Sequence, residues 1–202
     1  VRIHNLLYIN DGNGNFSEQS AEFGLDFKGY STQSCFLDYD KDGDLDMYLL
    51  NHTVHSVRSY GDVKKRNQKD PLSGDRFYEN RVREEGRFVD VTEDTGIYSS
   101  PLGYGLAIAA GDLNGDGWTD IYIGNDFHEN DYLYLNLGNG TFDEVIHRGD
   151  GTIGHTSHFA MGNDIGDVNN DGVKDVIAGA SKGSSPSDGR VHAIDGTDGD
   201  EI

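Results

Sequence analysis

Asp and Asn side chains recur at fixed positions in three nine-residue loops, and each loop follows the pattern Asp-x-Asp/Asn-x-Asp-Gly-x-x-Asp. Loop 1 covers residues 38–46, loop 2 covers residues 112–120 and loop 3 covers residues 167–175. Oxygen side chains at alternate positions of a tight loop converge on one point, and Gly at position six permits the bend that returns position nine to it. Such a cage of oxygen atoms suits a hard cation, and calcium best.

We therefore predict three Ca²⁺ sites, one in each loop. Positions one, three, five and nine supply side-chain oxygens, and position seven supplies its backbone carbonyl. An acidic turn without an ion is the alternative for any single copy, but three copies in phase favour the metal. The predicted ligands are Asp38, Asp40, Asp42, Asp44 and Asp46 in loop 1, Asp112, Asn114, Asp116, Trp118 and Asp120 in loop 2, and Asp167, Asn169, Asp171, Val173 and Asp175 in loop 3.

The residues after each loop exclude the helix-flanked EF-hand. An EF-hand needs a bidentate Glu at position twelve, where this chain has Leu49, Ile123 and Ala178. Each loop instead leads into a short apolar run rich in β-forming residues, which indicates a strand. The pattern predicts calcium-binding loops that connect strands.

The segments before the loops also repeat. Alternating aromatic and aliphatic residues followed by Phe, with an Asn-Gly turn in the clearest copies, predict β-hairpins at residues 6–16, 76–88 and 132–142, and a fainter start lies at 191–199. One hairpin, one connection and one loop with its strand form the repeated unit. The predicted units cover about residues 6–50, 76–124 and 132–180, with a partial unit at 190–202. Residues 54–73 are an inserted basic loop.

Small groups of strands that cannot bury their own faces are typical of a β-propeller, in which neighbouring units complete the core. The loops, with residues 104–111 and 159–162 before them, resemble FG-GAP/VCBS repeats, the calcium-bearing blades of integrin α-chain propellers and of many bacterial secreted proteins. The hairpin at 132–142 is similar to the bacterial branch. The resemblance implies an all-β fold of propeller-type blades, about three full and one partial, in a single domain or a fragment of one over residues 1–202.

Charge and cysteine content restrict the partners and the setting. The net charge is −20, from 36 acidic and 16 basic residues, which argues against nucleic acid and anionic membranes as partners. A single cysteine, Cys35, precludes an intrachain disulfide. No apolar run is long enough for membrane insertion. Because such calcium sites bind at roughly 10⁻⁴ to 10⁻³ M, an extracellular setting is expected. We predict a secreted protein or one on a bacterial cell surface.

Several further residues could bind ligands or be modified, each with a simpler alternative. His155 and His158 have a spacing that could hold zinc, and His52, His55 and His128 lie close after calcium loops, but no third ligand is identifiable. The basic residues of 54–73 form either a solvated loop or a docking surface for an acidic partner. Sequons occur at Asn15, Asn51 and Asn139. Exposed aromatic rings could stack on a sugar, the candidates being Tyr98, Tyr104 and Trp118.

No nucleophile elbow, phosphate loop or paired carboxylate outside the loops indicates catalysis. We therefore predict a non-catalytic, calcium-stabilised binding or adhesion scaffold, whose partner is a protein, a glycan or further copies of itself. The alternative is a structural subunit of an extracellular filament or surface array, because unfinished blades leave strand edges to be covered. A polysaccharide-active enzyme, a lyase or hydrolase, ranks third, since only the fold suggests it.

Overall fold

A computed structural model describes residues 4–54, 63–127, 129–148, 156, 160–180 and 190–194. Within these ranges the chain forms thirteen strands and few helices, so the predicted all-β architecture is confirmed. The strands are β1 (Tyr8–Asn10), β2 (Phe16–Glu18), β3 (Ser31–Leu37), β4 (Asp46–Asn51), β5 (Arg76–Arg81), β6 (Arg87–Asp90), β7 (Gly105–Gly111), β8 (Asp120–Asn125), β9 (Tyr132–Asn136), β10 (Phe142–Glu144), β11 (Ala160–Gly166), β12 (Asp175–Ala180) and β13 (Arg190–Ile194). The helices are α1 (Val82–Glu85), α2 (Thr92–Thr95) and two 3₁₀ turns, Val63–Asn67 and Ile146–Arg148.

The strands form four antiparallel sheets in which chain neighbours are also sheet neighbours. The first sheet is the hairpin β1–β2, the second has the order β3-β4-β5-β6, the third has the order β7-β8-β9-β10 and the fourth has the order β11-β12-β13. Each predicted strand after a loop is present, as β4, β8 and β12. Each loop therefore joins the first two strands of a sheet.

The sheets are offset from the predicted repeat units. The hairpin β5–β6 pairs with β4, which lies before it in the chain, and Met47 lies opposite Tyr78. In the same way β9 pairs with β8, and Ile121 lies opposite Tyr134. A sheet thus combines a loop and its two strands with the hairpin that follows them. This grouping arises because consecutive antiparallel strands pair across their connection. Residues 195–202 of the partial unit lie outside the described part.

The predicted hairpins are present, but their connections differ. The β1–β2 and β9–β10 turns contain glycines with positive φ, among them Gly14 at 85° and Gly140 at 85°. Between β5 and β6 the helical turn α1 takes the place of an Asn-Gly turn, since this segment contains no such pair. It ends at Gly86, whose φ of 77° is the left-handed conformation that glycine adopts without strain.

The core lies between successive sheets. The largest cluster joins Tyr48 and Leu50 of the β3–β6 sheet with Ile121, Ile123 and Tyr134 of the β7–β10 sheet. The first strands lie side by side, β3 next to β7 and β7 next to β11. A glycine favours the close approach of β8 and β11, because a Cβ on Gly124 would lie 3.0 Å from the Ala160 Cβ, which is a tight contact. Among the described residues, no helix has both the length and the apolar character needed to cross a membrane.

Candidate metal centres

Loop 1 brings three carboxylates together as predicted. Ligand oxygens of Asp38, Asp40 and Asp42 all lie within 4.8 Å of one another. Oδ1 of Asp38 is buried and has no hydrogen-bond partner. Burial and the neighbouring charges of Asp42 and Asp38 raise the pKa of the Asp40 carboxyl. A cation would supply the missing partner and offset the repulsion, so the residues of this loop fit Ca²⁺.

The three loops share one backbone framework. The N–H of the glycine at position six donates to Oδ2 of the first Asp, with N···O distances of 3.2 Å in loop 1, 2.9 Å in loop 2 and 3.1 Å in loop 3. Position four also adopts a left-handed conformation, with φ of 62° at Lys41, 74° at Gly115 and 61° at Asn170. The predicted role of the glycine is consistent with this framework. The sequence analysis missed the left-handed conformation at position four, because the lysine in loop 1 gives no signal of a positive φ.

Loops 2 and 3 differ from loop 1 at position three, where Asn replaces Asp. The amide Nδ2 of Asn114 donates to Asp116 Oδ2 at 2.9 Å, and Nδ2 of Asn169 donates to Asp171 Oδ2 at 3.1 Å. The amide therefore offsets part of the repulsion between the carboxylates at positions one and five. Loop 1 lacks this neutral partner and depends most on a cation for charge balance.

The closing Asp at position nine has a structural role beside its predicted ligand role. Asp46 and Asp120 are buried, and one oxygen of each accepts the backbone N–H of position two, at 3.3 Å from Tyr39 and 2.8 Å from Leu113. Asp175 of loop 3 is buried too and accepts from Val168 at 2.7 Å. Burial raises the pKa of Asp46 to about 7 and that of Asp120 to about 6. These carboxylates hold each loop closed.

Two asparagines that the sequence analysis missed fasten loops 1 and 2 to the hairpins of their sheets, one asparagine to each loop. The backbone N–H of Asn80 donates to Asp46 Oδ1 at 2.9 Å, and that of Asn136 donates to Asp120 Oδ1 at 2.8 Å. Their side-chain amides donate to loop carbonyls, from Asn80 to Leu45 O at 3.0 Å and from Asn136 to Thr119 O at 3.3 Å. We call each such Asp–Asn pair a latch. Its signal was visible, since both hairpin strands carry Tyr-x-Asn.

A second missed feature is a buried triad at the other end of the same strands. In the β3–β6 sheet the Tyr48 hydroxyl donates to Asp75 Oδ2 at 2.7 Å, and the Asn51 backbone N–H donates to Asp75 Oδ1 at 2.8 Å. The β7–β10 sheet repeats this arrangement at 2.7 Å for both bonds, and its members are Tyr122, Asn125 and Asp131. The repeated Asp before each hairpin strand was the available signal.

The predicted zinc, sugar-stacking and glycosylation sites have different outcomes. His55, His128, His155 and His158 lie outside the described residues, so the zinc site stays a prediction. Tyr104 is buried and not an exposed sugar platform, because its ring packs against His52 at 5.5 Å between ring centroids. The half-buried Tyr98 packs against Tyr132 and Tyr134 of the core. Asn51 is fully buried and unsuited to glycosylation, whereas Asn15 and Asn139 lie exposed at hairpin turns.

The basic insert is partly bound to its own protein. Nη2 of Arg66 lies 2.8 Å from Glu129 Oε1, and both side chains are mostly buried. Nζ of Lys69 lies 2.6 Å from Glu93 Oε1 at the surface. Residues 55–62, with Arg58, lie outside the described part. These two pairs favour an insert that docks on the acidic surface of its own chain, since an acidic partner would have to compete with Glu129 and Glu93.

Trp118 at position seven of loop 2 packs on the β9–β10 turn. A Cβ on Gly138, whose φ is 67°, would lie 2.6 Å from the Trp118 ring. We expect Gly138→Ala to push the indole out, lower the melting temperature by about 5 °C and shift Trp118 emission to longer wavelength. Gly140→Ala is the matched control, because Gly140 also has positive φ but its Cβ would meet nothing within 4 Å. Equal emission shifts in both variants would contradict the contact.

Comparison with known proteins agrees with these loops. The family model described as FG-GAP-like repeat matches residues 112–178, from the start of loop 2 to Ala178 within β12. Integrin alpha-4 of Xenopus laevis is 30% identical over 101 residues, which cover 46% of this chain and 10% of that protein. Integrin alpha-PS3 of Drosophila melanogaster is 34% identical over 86 residues, which cover 38% of this chain and 8% of that protein.

The predicted resemblance is thereby confirmed: residues 112–178 match an FG-GAP-like repeat, and the similarity to two integrin alpha proteins supports it. The similarity of this chain to the two integrin alpha proteins covers at most about a tenth of their length.

Proposed function

We propose that this chain is a calcium-stabilised, non-catalytic binding scaffold of a secreted or cell-surface protein. The observation that carries the proposal is the repetition of a loop with cation-ligand spacing in each of three sheets of an FG-GAP-like chain. Similarity to two integrin alpha proteins supports a role in adhesion or binding. An enzyme of the polysaccharide-active kind is the least supported alternative, since it rests on fold analogy alone.

The sheets are proposed to be propeller blades. Both complete sheets are four-stranded meanders with strands in chain order, which is the usual blade topology. The first strands β3, β7 and β11 lie side by side, as strands nearest to a central axis do. The hairpin β1–β2 corresponds in sequence to β5–β6 and β9–β10, so it belongs to a further blade. The described residues complete two four-stranded sheets, and the count of about three full blades and one partial blade stays a proposal.

Calcium is proposed as the ion in all three loops. Oxygen-only ligands at this spacing suit a hard cation, and the buried unpartnered Asp38 oxygen supports one in loop 1. The proposed affinity, roughly 10⁻⁴ to 10⁻³ M, is matched to extracellular calcium and not to cytosolic calcium. Position seven is proposed to add its backbone carbonyl in every loop, from Asp44, Trp118 and Val173.

The partner is proposed to be a protein or a glycan, or further copies of the chain. Large apolar side chains on the first hairpin and on β3 remain exposed, at 57% for Tyr8, 62% for Phe16 and 47% for Phe36. Exposed apolar side chains of this size favour a cover, either a further blade or a second copy of the chain. A structural subunit of a filament or surface array is therefore the second candidate function.

Calorimetric titration with CaCl₂ tests the proposal. We expect a stoichiometry of about three ions per chain, falling to about two in Asp116→Ala and in Asp171→Ala, because each variant loses one ligand of one loop. Asp26→Ala, an exposed carboxylate outside the loops, is the matched control and should keep three. Absence of calcium binding would refute the scaffold as proposed. Light scattering on the calcium-loaded samples separates the two candidates, since a monomer at all concentrations would exclude the filament.

A further inference from the structure

Loops 1 and 2 touch each other through two side chains. Nζ of Lys41, at position four of loop 1, lies 3.9 Å from the ring centroid of Trp118, at position seven of loop 2. The side-chain amide of Asn136 donates both to Tyr39 O of loop 1, at 2.8 Å, and to Thr119 O of loop 2, at 3.3 Å. The two loops that form the proposed ion sites are therefore linked by the Lys41–Trp118 contact and by the Asn136 side chain.

Trp118 is held from two sides. The Lys41 ammonium lies over its ring, and the Gly138 turn leaves no room for even a methyl group against it. Cation–π contacts of this kind change an equilibrium constant by about two- to fivefold at exposed sites. The ring belongs to the residue whose backbone carbonyl is the proposed ligand at position seven. Displacing Lys41 consequently releases one restraint on a ligand of loop 2.

Asn136 forms the second connection. Its side chain is almost fully buried, and its backbone N–H holds Asp120, the closing residue of loop 2, at 2.8 Å. The same residue takes part in a hydrogen bond with the Tyr39 carbonyl of loop 1. Its counterpart in the β3–β6 sheet, Asn80, donates to Leu45 O and Asp46 of its own loop. Asn136 thus combines the local latch with a link between loops.

We propose that Lys41 and Asn136 are positioning residues that couple the two sites, so that an ion in loop 1 raises the calcium affinity of loop 2. This inference rests on the proposed calcium binding. Lys41 adopts a φ of 62°, which is uncommon for lysine and needs an ordered loop to hold it. An ion in loop 1 fixes Lys41 and the Tyr39 carbonyl where Trp118 and Asn136 need them. Loop 2 then loses less conformational entropy when its own ion binds.

Trp118 emission provides a direct readout, because Trp118 is the only tryptophan of the chain. The full chain, first depleted with EGTA, is titrated with CaCl₂ while emission is recorded. We expect Asp42→Ala in loop 1 to move the Trp118 midpoint to at least about fivefold higher calcium, the lower end of usual coupling between sites. Asp171→Ala, the same position in loop 3, should shift it less than about twofold, since it leaves the contacts of Lys41 and Asn136 intact.

Lys41→Gln tests the contact itself without removing a carboxylate. We expect a shift of about threefold in the same direction and an altered emission before calcium is added. The exposed Lys28→Gln is the matched control and should behave like the parent protein. Equal shifts for Asp42→Ala and Asp171→Ala, or an unchanged Lys41→Gln titration, would overturn the coupling alone. A parent protein without any calcium response would overturn the proposed function as well.

Discussion

EGTA is expected to lower the melting temperature by about 10 °C or more, because each loop loses the cation that balances its carboxylates. An ion with a Kd of about 10⁻³ M contributes about 1.4 kcal/mol at about 10 mM calcium, so three ions contribute about 4 kcal/mol. For a domain of this size, about 1 kcal/mol corresponds to about 2 to 4 °C. Thermal denaturation followed by circular dichroism, with and without EGTA, measures the shift.

Variants of a single loop measure how much each ion site contributes to the melting temperature. In saturating calcium, Asp116→Ala and Asp171→Ala should each lower the melting temperature by several degrees, roughly a third of the EGTA effect, with Asp26→Ala as the control. Calcium added in excess of EGTA should restore the melting temperature of the parent protein. An unchanged melting temperature in both the EGTA sample and the loop variants would contradict a structural ion.

Asp75→Ala is expected to destabilise the chain by about 3 kcal/mol or more near neutral pH, because it leaves two buried donors unsatisfied. These donors are the Tyr48 hydroxyl and the Asn51 backbone N–H, and all three residues are buried. Urea unfolding in saturating calcium measures the change in free energy of unfolding. Asp131→Ala removes the equivalent acceptor of the next sheet and should cost a similar amount. A loss below about 1 kcal/mol in both variants would contradict the triad.

The raised pKa of Asp75 makes the stability of the folded chain depend on pH. Burial raises the pKa of Asp75 from 3.8 to about 7, against the opposing effect of its hydrogen bonds from Asn51 and Tyr48. Between these values the folded chain holds a proton that the unfolded chain releases, so stability falls as pH rises from about 4 to about 7. The slope contributed by this one group is at most about 1.4 kcal/mol per pH unit.

Asp75→Asn isolates that contribution, because the amide keeps the shape of the side chain and cannot ionise. The stability of this variant should change less with pH than that of the parent protein over the same window. Saturating calcium is kept in both samples so that the raised pKa values of Asp46 and Asp120 in the free loops do not add to the difference. Parallel pH curves would show that Asp75 does not carry a proton in the folded chain.

Local sequence patterns were sufficient for the parts of the structure that depend on neighbouring residues. The glycine at position six and the apolar run after each loop predicted the bend and the strands β4, β8 and β12, because backbone conformation and strand burial are encoded within a few residues. The hairpins β1–β2 and β9–β10 followed from their glycine-rich turns for the same reason.

Features that depend on distant contacts were not predicted, because a repeated residue type does not identify the distant residue that it contacts. Asp75 accepts a bond from Asn51, 24 residues away, whereas Asp131 accepts the equivalent bond from Asn125 at a separation of 6 residues. The unequal spacing hides the repeated triad. Tyr104 lies near a turn, and its burial comes from its bridge to His52, which follows β4, and from the Phe127 ring at 5.0 Å between ring centroids.

The latch also defines where this architecture accepts new sequence. In the β3–β6 sheet Asp46 and Asn80 are 34 residues apart, and in the β7–β10 sheet Asp120 and Asn136 are 16 residues apart, yet both pairs make the same bond. The connection between the second and third strands can therefore vary in length while the ion loop at the opposite end stays unchanged. Evolution, or a protein engineer, can diversify recognition at one end of a sheet without disturbing the element that stabilises the other.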